Sequence, residues 1–324
     1  MAFFKRKQEV KDLKELEIEG LGTEQINQQG YCPPTCKVPI GACDNALFEL
    51  AFGAQGYSSY MVVGDRATTK SLIDGLIING CYKYTPGELS FRLYDVSTSG
   101  ILKAYEQARL PHIARIGSCV GEKEAIHELN RLLEVIKSRE LLFKELREKC
   151  GKEINSLFDY NTNATEQEKG TFKRKKRIVA LLIDVKRLLN SPQISEEYAK
   201  QICLLINDIA KKGAFVGVHL ILTSQELSKD SLDTMLRKSF VERFCGKIVL
   251  PQQKKQAKSL DFGKVIDKKI KEIVNLKEGE CLVTVDEKTV KRVRLSTFTP
   301  IEKYIDAISD SVAFFDENTE KLSK

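Results

Sequence analysis

No run of about 18 consecutive apolar residues occurs in the 324-residue sequence, so no segment is expected to span a membrane. The opening stretch, MAFFKRKQEVKDLKELEIEG, has basic residues but no apolar core behind them. That argues against a secretory leader and leads us to expect a cytoplasmic protein. Tryptophan is missing and histidine occurs only three times, never near the cysteine cluster Cys32, Cys36 and Cys43 in YCPPTCKVPIGAC. With no histidine at hand and a spacing that matches no common zinc pattern, a metal site there has little beyond the thiols to recommend it. The nine cysteines are odd in number and scattered through apolar segments such as QICLLIND. Reduced, buried thiols fit that usage better than a disulfide framework. Internal repeats and low-complexity tracts are also missing.

What is present is the balance of an ordinary soluble globular chain, 42% hydrophobic and 30% charged. The length allows one large α/β domain with appendages or two modest domains. The net charge of +7 is compatible with nucleic acid or an acidic membrane as partner, and equally with a solvated lysine-rich surface. The basic residues gather in TFKRKKR (171–177) and in the segment 251–277. If either contacts DNA, the candidates are Lys173, Arg174, Lys175, Lys176, Lys254 and Lys255; the plainer reading is a charged loop and a solvated helix face.

Hydrophobic patterning then gives alternating elements. Residues 1–30 read as an amphipathic or partly disordered arm. SYMVVG (59–64) is a short apolar strand, SLIDGLIINGCY (71–82) has helical spacing, and LSFRLYD (89–95) is a strand. Residues 122–150 form a long helix, 160–176 a polar surface loop, and RIVALLID (177–184) the clearest buried strand. A helix over 196–213 precedes the strand GVHLILTS (217–224), and 280–286 with 289–296 make a β-hairpin. Strands alternating with helices predict an α/β fold with a mainly parallel sheet, helices on both faces and this C-terminal hairpin. In such sheets the functional groups collect at the carboxyl ends of strands, where Gly64, Asp95, Asp184 and Ser224 fall.

VVGDRATTKS (62–71) carries the chemistry. Gly64, Lys70 and Ser71 occupy the offsets of a phosphate-binding loop between a strand and a helix. In such a loop backbone N–H groups wrap the phosphate, the lysine adds charge and the hydroxyl holds Mg²⁺. Thr69 stands where the loop should have glycine, and Ala67 adds bulk that hinders close backbone approach. Downstream, Asp184 ends an apolar strand, as a metal-holding carboxylate should. Val185 follows it, where a glutamate that activates water would be expected. Gln225, at the tip of GVHLILTSQ, is a candidate sensor of the terminal phosphate. His219, mid-strand among apolar neighbours, reads as a core histidine.

Taken in order, these segments resemble the motor domain of the FtsK/SpoIIIE family of DNA translocases. The likeness runs from about residue 36 to 296. VPIG and the apolar strand before the loop look like that family's entry strands, and GDRATTKS falls on the Walker A motif. TPGEL through LPH is similar to another family stretch, ALLIDV falls on Walker B, and the segments ending at Gln225 and around Arg243 follow. The resemblance implies a RecA-like P-loop core spanning 31–297, with an arm over 1–30 and a helix and tail over 298–324. It also implies ATP held by Gly64, Lys70, Ser71 and Asp184, Mg²⁺ on Ser71 and Asp184, and Gln225 at the γ-phosphate. Relatives form hexamers that pump double-stranded DNA or, in type VII secretion, act on proteins. Thr69, Val185 and the Glu226-Leu227 pair in place of Arg-Pro depart from the pattern. Thr69 bears on binding and Val185 on hydrolysis. The expectation is an impaired ATPase subunit of DNA-transfer or secretion machinery, as a homo-hexamer or beside an intact partner. The rivals are an active translocase with an unorthodox site and a nucleotide-free scaffold.

Overall fold

The computed structural model describes residues 33–44, 46–54, 59–97, 99–108, 110–118, 121–166, 172–189, 194–224, 242–246, 272–273, 275–284 and 289–309. The first strands are β1 (Thr35–Cys43), β2 (Ala46–Gly53), β3 (Tyr60–Val63), β4 (Leu89–Asp95) and β5 (Ile113–Ser118). The later ones are β6 (Arg177–Ile183), β7 (Val218–Ser224), β8 (Glu242–Gly246), β9 (Glu280–Thr284) and β10 (Val290–Leu295). Helices α1 (Arg66–Lys83), α2 (Lys103–Ala108), α3 (Glu122–Cys150), α4 (Leu157–Glu166), α5 (Val185–Leu189) and α6 (Glu196–Lys212) connect them. A last helix, α7, covers 301–309.

All the strands join one sheet in the order β2-β1-β10-β9-β8-β3-β7-β6-β4-β5. The run from β8 to β5 is parallel throughout. The other half is antiparallel: β1 pairs with β2, β10 with β9, and the β9–β10 hairpin docks on β8. The expected α/β class, parallel core and C-terminal hairpin are therefore present. The buried middle accounts for the apolar runs, since every residue of β3, β6 and β7 is buried.

Alternation along β4 puts helices on both faces. Phe91 faces α1, where a side chain on Gly80 would come within 2.7 Å of its ring. The Tyr94 hydroxyl faces the other way and donates to Glu128 of α3 at 2.8 Å. The helix expected over 71–82 starts earlier, at Arg66, and is buried around most of its circumference because β1, β10 and β4 all pack against it.

The polar stretch 160–176, expected as a loop, is helical as far as Glu166. Tyr160 stacks on Phe143 of α3 at 4.6 Å, and the Asn161 side chain bonds both the N–H and the carbonyl of Lys175. Asn161, which reads as a loop former, is thus occupied in tertiary hydrogen bonds, while Asn163 donates to the Asp159 carbonyl within the helix, and their turn preference is overridden. His219 is the core residue expected, fully buried against the Phe52 ring and the Arg177 guanidinium. Arg177, itself buried, donates to the carbonyls of Phe52, Pro33 and Pro34, which ties β6 to the entry to β1 and the end of β2. Cys36 and Cys43 lie on one extended strand, about 23 Å apart at about 3.3 Å per residue, so one metal ion could not be shared by both. Cys32 lies outside the described residues.

Candidate nucleotide site at the carboxyl edge of the sheet

The strand ends that matter are those of β3, β7 and β6, which are neighbours. The Gly64 N–H leaves β3 and donates to the Ser224 carbonyl at the end of β7, 3.0 Å away. Asp65 then turns the chain, and the backbone is helical from Arg66 onward. The Asp65 carboxylate accepts the Thr68 N–H at 2.8 Å, and its carbonyl accepts the Thr69 N–H at 3.0 Å. A short acid before the first helical residue suits this position, because it caps an orphan N–H and meets the positive end of the helix dipole. Residues 66–69, expected as a wrapping loop, are therefore the first turn of α1. Thr69 is fully buried, turned into the protein, as is Thr68. The side chain that occupies the helix entrance is Asp65.

Lys70 is committed within the helix. Its ammonium pairs with the Asp74 carboxylate one turn on. Asp74 also accepts from the Tyr105 hydroxyl of α2 at 2.8 Å. Burial pushes the Asp74 carboxyl above its ordinary range, against the pull of the Lys70 ammonium and the two hydrogen bonds. Burial raises the Tyr105 phenol as well, and the neighbouring carboxylate adds to it. Ser71, next along the helix, is half-buried. Arg66 reaches across to the Ser99 carbonyl.

Asp184 follows β6 with a left-handed backbone (φ 62°), an uncommon setting for a residue other than glycine. Its N–H donates to the Thr223 hydroxyl of β7 at 3.1 Å. β6 is two strands from β3, so Asp184 and Gly64 emerge on the same edge, about 10 Å apart at the usual strand spacing. Val185 begins the short helix α5 and is 1% exposed, so its methyl groups pack inward. Asp95, the other acid at a strand end, organises its own turn. It accepts from the Ser97 N–H and hydroxyl and from the Ser99 hydroxyl.

Gly64, Lys70, Ser71 and Asp184 are thus brought to one edge. Gln225, Lys254 and Lys255 lie outside the described residues. Lys173, Arg174, Lys175 and Lys176 precede β6 at its opposite end, about 25 Å from Asp184 along the strand. Asp65, Asp74 and Tyr105 carry no mark in the motif reading. Two of them had a signal all the same: Asp before a helix is an N-cap pattern, and Lys70–Asp74 is an i,i+4 pair.

No protein-family model matches the sequence, and no curated protein sequence matches it. Solved structures do. The cytoplasmic domain of the Thermomonospora curvata type VII secretion ATPase EccC superposes with a TM-score of 0.61 at 17% identity, covering 84% of this chain and 31% of its own. EssC (ATPases 2 and 3) from Geobacillus thermodenitrificans gives 0.63 at 15% identity, covering 87% and 50%. The pCW3 conjugation coupling protein TcpA, in monomer form with ATPγS, gives 0.60 at 13%, covering 88% and 72%. The chain spans a third to a half of the EccC and EssC chains, and it has the fold of these ATPase domains. Among the described residues, no helix is long and apolar enough to cross a membrane.

Proposed function

We propose that this chain is an FtsK/SpoIIIE-like P-loop ATPase domain whose own nucleotide site is impaired, serving as a subunit of a DNA-transfer or secretion machine. The fold shared with EccC, EssC and TcpA supports the class. The observation that carries the impairment is Asp65, whose carboxylate takes the Thr68 N–H at the entrance of α1. A phosphate oxygen about 4 Å from that carboxylate would meet a repulsion of about 4 kcal/mol at an effective dielectric of about 20. The N–H groups of Gly64, Thr68 and Thr69 already have acceptors, and Lys70 has Asp74. A triphosphate with Mg²⁺ does not fit this edge as it stands. Hydrolysis would lack a further group, since Val185 can neither accept a proton nor orient water.

The test is a Mg-ATP titration by calorimetry on the wild type, Lys70→Ala and Asp65→Gly. The expected result is no binding that depends on Lys70 in the wild type at millimolar nucleotide, and a gain of such binding in Asp65→Gly. Tight wild-type binding that Lys70→Ala removes would overturn the reading. ATP turnover that duplex DNA stimulates would favour the active translocase instead.

A further inference from the structure

On the α3 face, at the end of the strands away from Asp184, a hollow of about 610 Å³ opens between α3, β4, the edge strand β5 and the approach to β6. That volume is in the range of small-ligand sites, about 300–1,000 Å³. Its lining holds five basic side chains, Arg92, Arg115, Arg131, Arg139 and Lys175, against one acid, Glu134. Arg92 and Arg115 are direct cross-strand partners, a like-charge pairing that a sheet ordinarily avoids.

The floor is built from fixed groups. Arg139 is 6% exposed and donates to the carbonyls of Val216 at 2.7 Å and Lys176 at 2.8 Å. One oxygen of Glu128 bridges Arg115 at 2.8 Å and Arg131 at 3.1 Å, and its other oxygen accepts from Tyr94. Glu128 therefore orients two of the arginines but offsets only one unit of charge. The Arg92 side chain makes no hydrogen bond or ion pair to a described residue. Lys175 and Lys176 are held below the ordinary lysine range, first by burial and then by Arg139, with Lys173 acting on the former and Arg92 on the latter.

We propose that this hollow is a binding site for a compact oligophosphate, a short chain of phosphates engaged by Arg92, Arg115 and Arg131 above the Arg139 floor. Several convergent guanidinium forks suit an anion with many closely spaced oxygens. A hollow of this volume admits a compact ligand, whereas a nucleic-acid duplex is too broad to enter it. The site is independent of the carboxyl edge, and neither Lys70 nor Asp65 takes part in it.

The experiment is calorimetry with inorganic tripolyphosphate at constant ionic strength. Saturable one-to-one binding is expected, weakened about 10- to 100-fold by Arg92→Ala and by Arg131→Ala, the loss appropriate to a charge-assisted hydrogen bond. Arg92→Lys, which keeps the charge and loses the fork, should fall between. Thermal unfolding of each variant checks that the fold is kept, and two arginines on different elements guard against one variant failing to fold. Binding that is absent, or unmoved by either arginine, overturns the site. Binding lost in Lys70→Ala but kept in Arg92→Ala would move the phosphates to the α1 entrance, against this proposal. Displacement of tripolyphosphate by a short DNA duplex that binds more tightly, with a steep salt dependence, would also overturn it and make the face a nucleic-acid surface.

Discussion

At the carboxyl edge of the sheet, Lys70 is taken by Asp74, Arg66 by the Ser99 carbonyl, and the positive end of α1 by Asp65. Under α3, Arg92 and Arg115 stand side by side with a single bridging carboxylate, Glu128, behind them. The edge that the sequence marks for phosphate spends its positive charge internally, while positive charge outside any motif gathers around a hollow. A lysine at the right motif offset is therefore a weaker guide to a phosphate site than the count of nearby groups already satisfying it.

Mutations should separate the two regions by cost. Asp74→Ala leaves the buried Tyr105 hydroxyl without its acceptor and frees Lys70, and should lower unfolding stability by about 2 kcal/mol in urea titrations. A loss below about 0.5 kcal/mol would mean that the pairing does not hold the edge closed. Asp65→Ala removes the cap of α1 and should cost about 1 kcal/mol by the same measurement. Arg92→Ala should change stability by less than about 0.5 kcal/mol, since no described partner is lost and like-charge repulsion is relieved. A large loss would make Arg92 structural and erase the contrast.

The finest test uses pH. The folded state holds the Asp74 proton more tightly than the unfolded chain, whose ordinary value is 3.8. The stability from this group is thus fully present below 3.8 and is lost as pH rises through the folded value. Asp74→Asn should flatten that fall, read as unfolding stability over a series of pH values. An unchanged slope would place the titration in another group.

Much of the fold was legible because burial on both faces writes itself as nearly continuous apolar sequence: YMVV, RIVALLI and VHLILTS are the centre of the sheet. The helix over 157–166 was not, because Asn161 and Tyr160 are polar by composition and become structural only through Lys175 and Phe143. At the candidate site the motif placed Gly64, Lys70, Ser71 and Asp184 near one another by order along the chain. The motif frame marks Thr69, which is turned inward, and does not mark Asp65, whose capping pattern lies in the same ten residues.

The sequence by itself determined the alternation of strands and helices, the buried centre and the strand ends where chemistry would collect, because periodicity and burial are local properties of a chain. Whether 66–69 wraps as a loop or winds as a helix was decided by the Asp65 cap and by the packing of α1 on β1, β10 and β4. The hollow under α3 was decided by tertiary structure alone. Arg92, Arg115, Arg131 and Arg139 sit on β4, β5 and α3, up to 47 residues apart, and only the packing of α3 on the parallel strands brings their charges to one hollow.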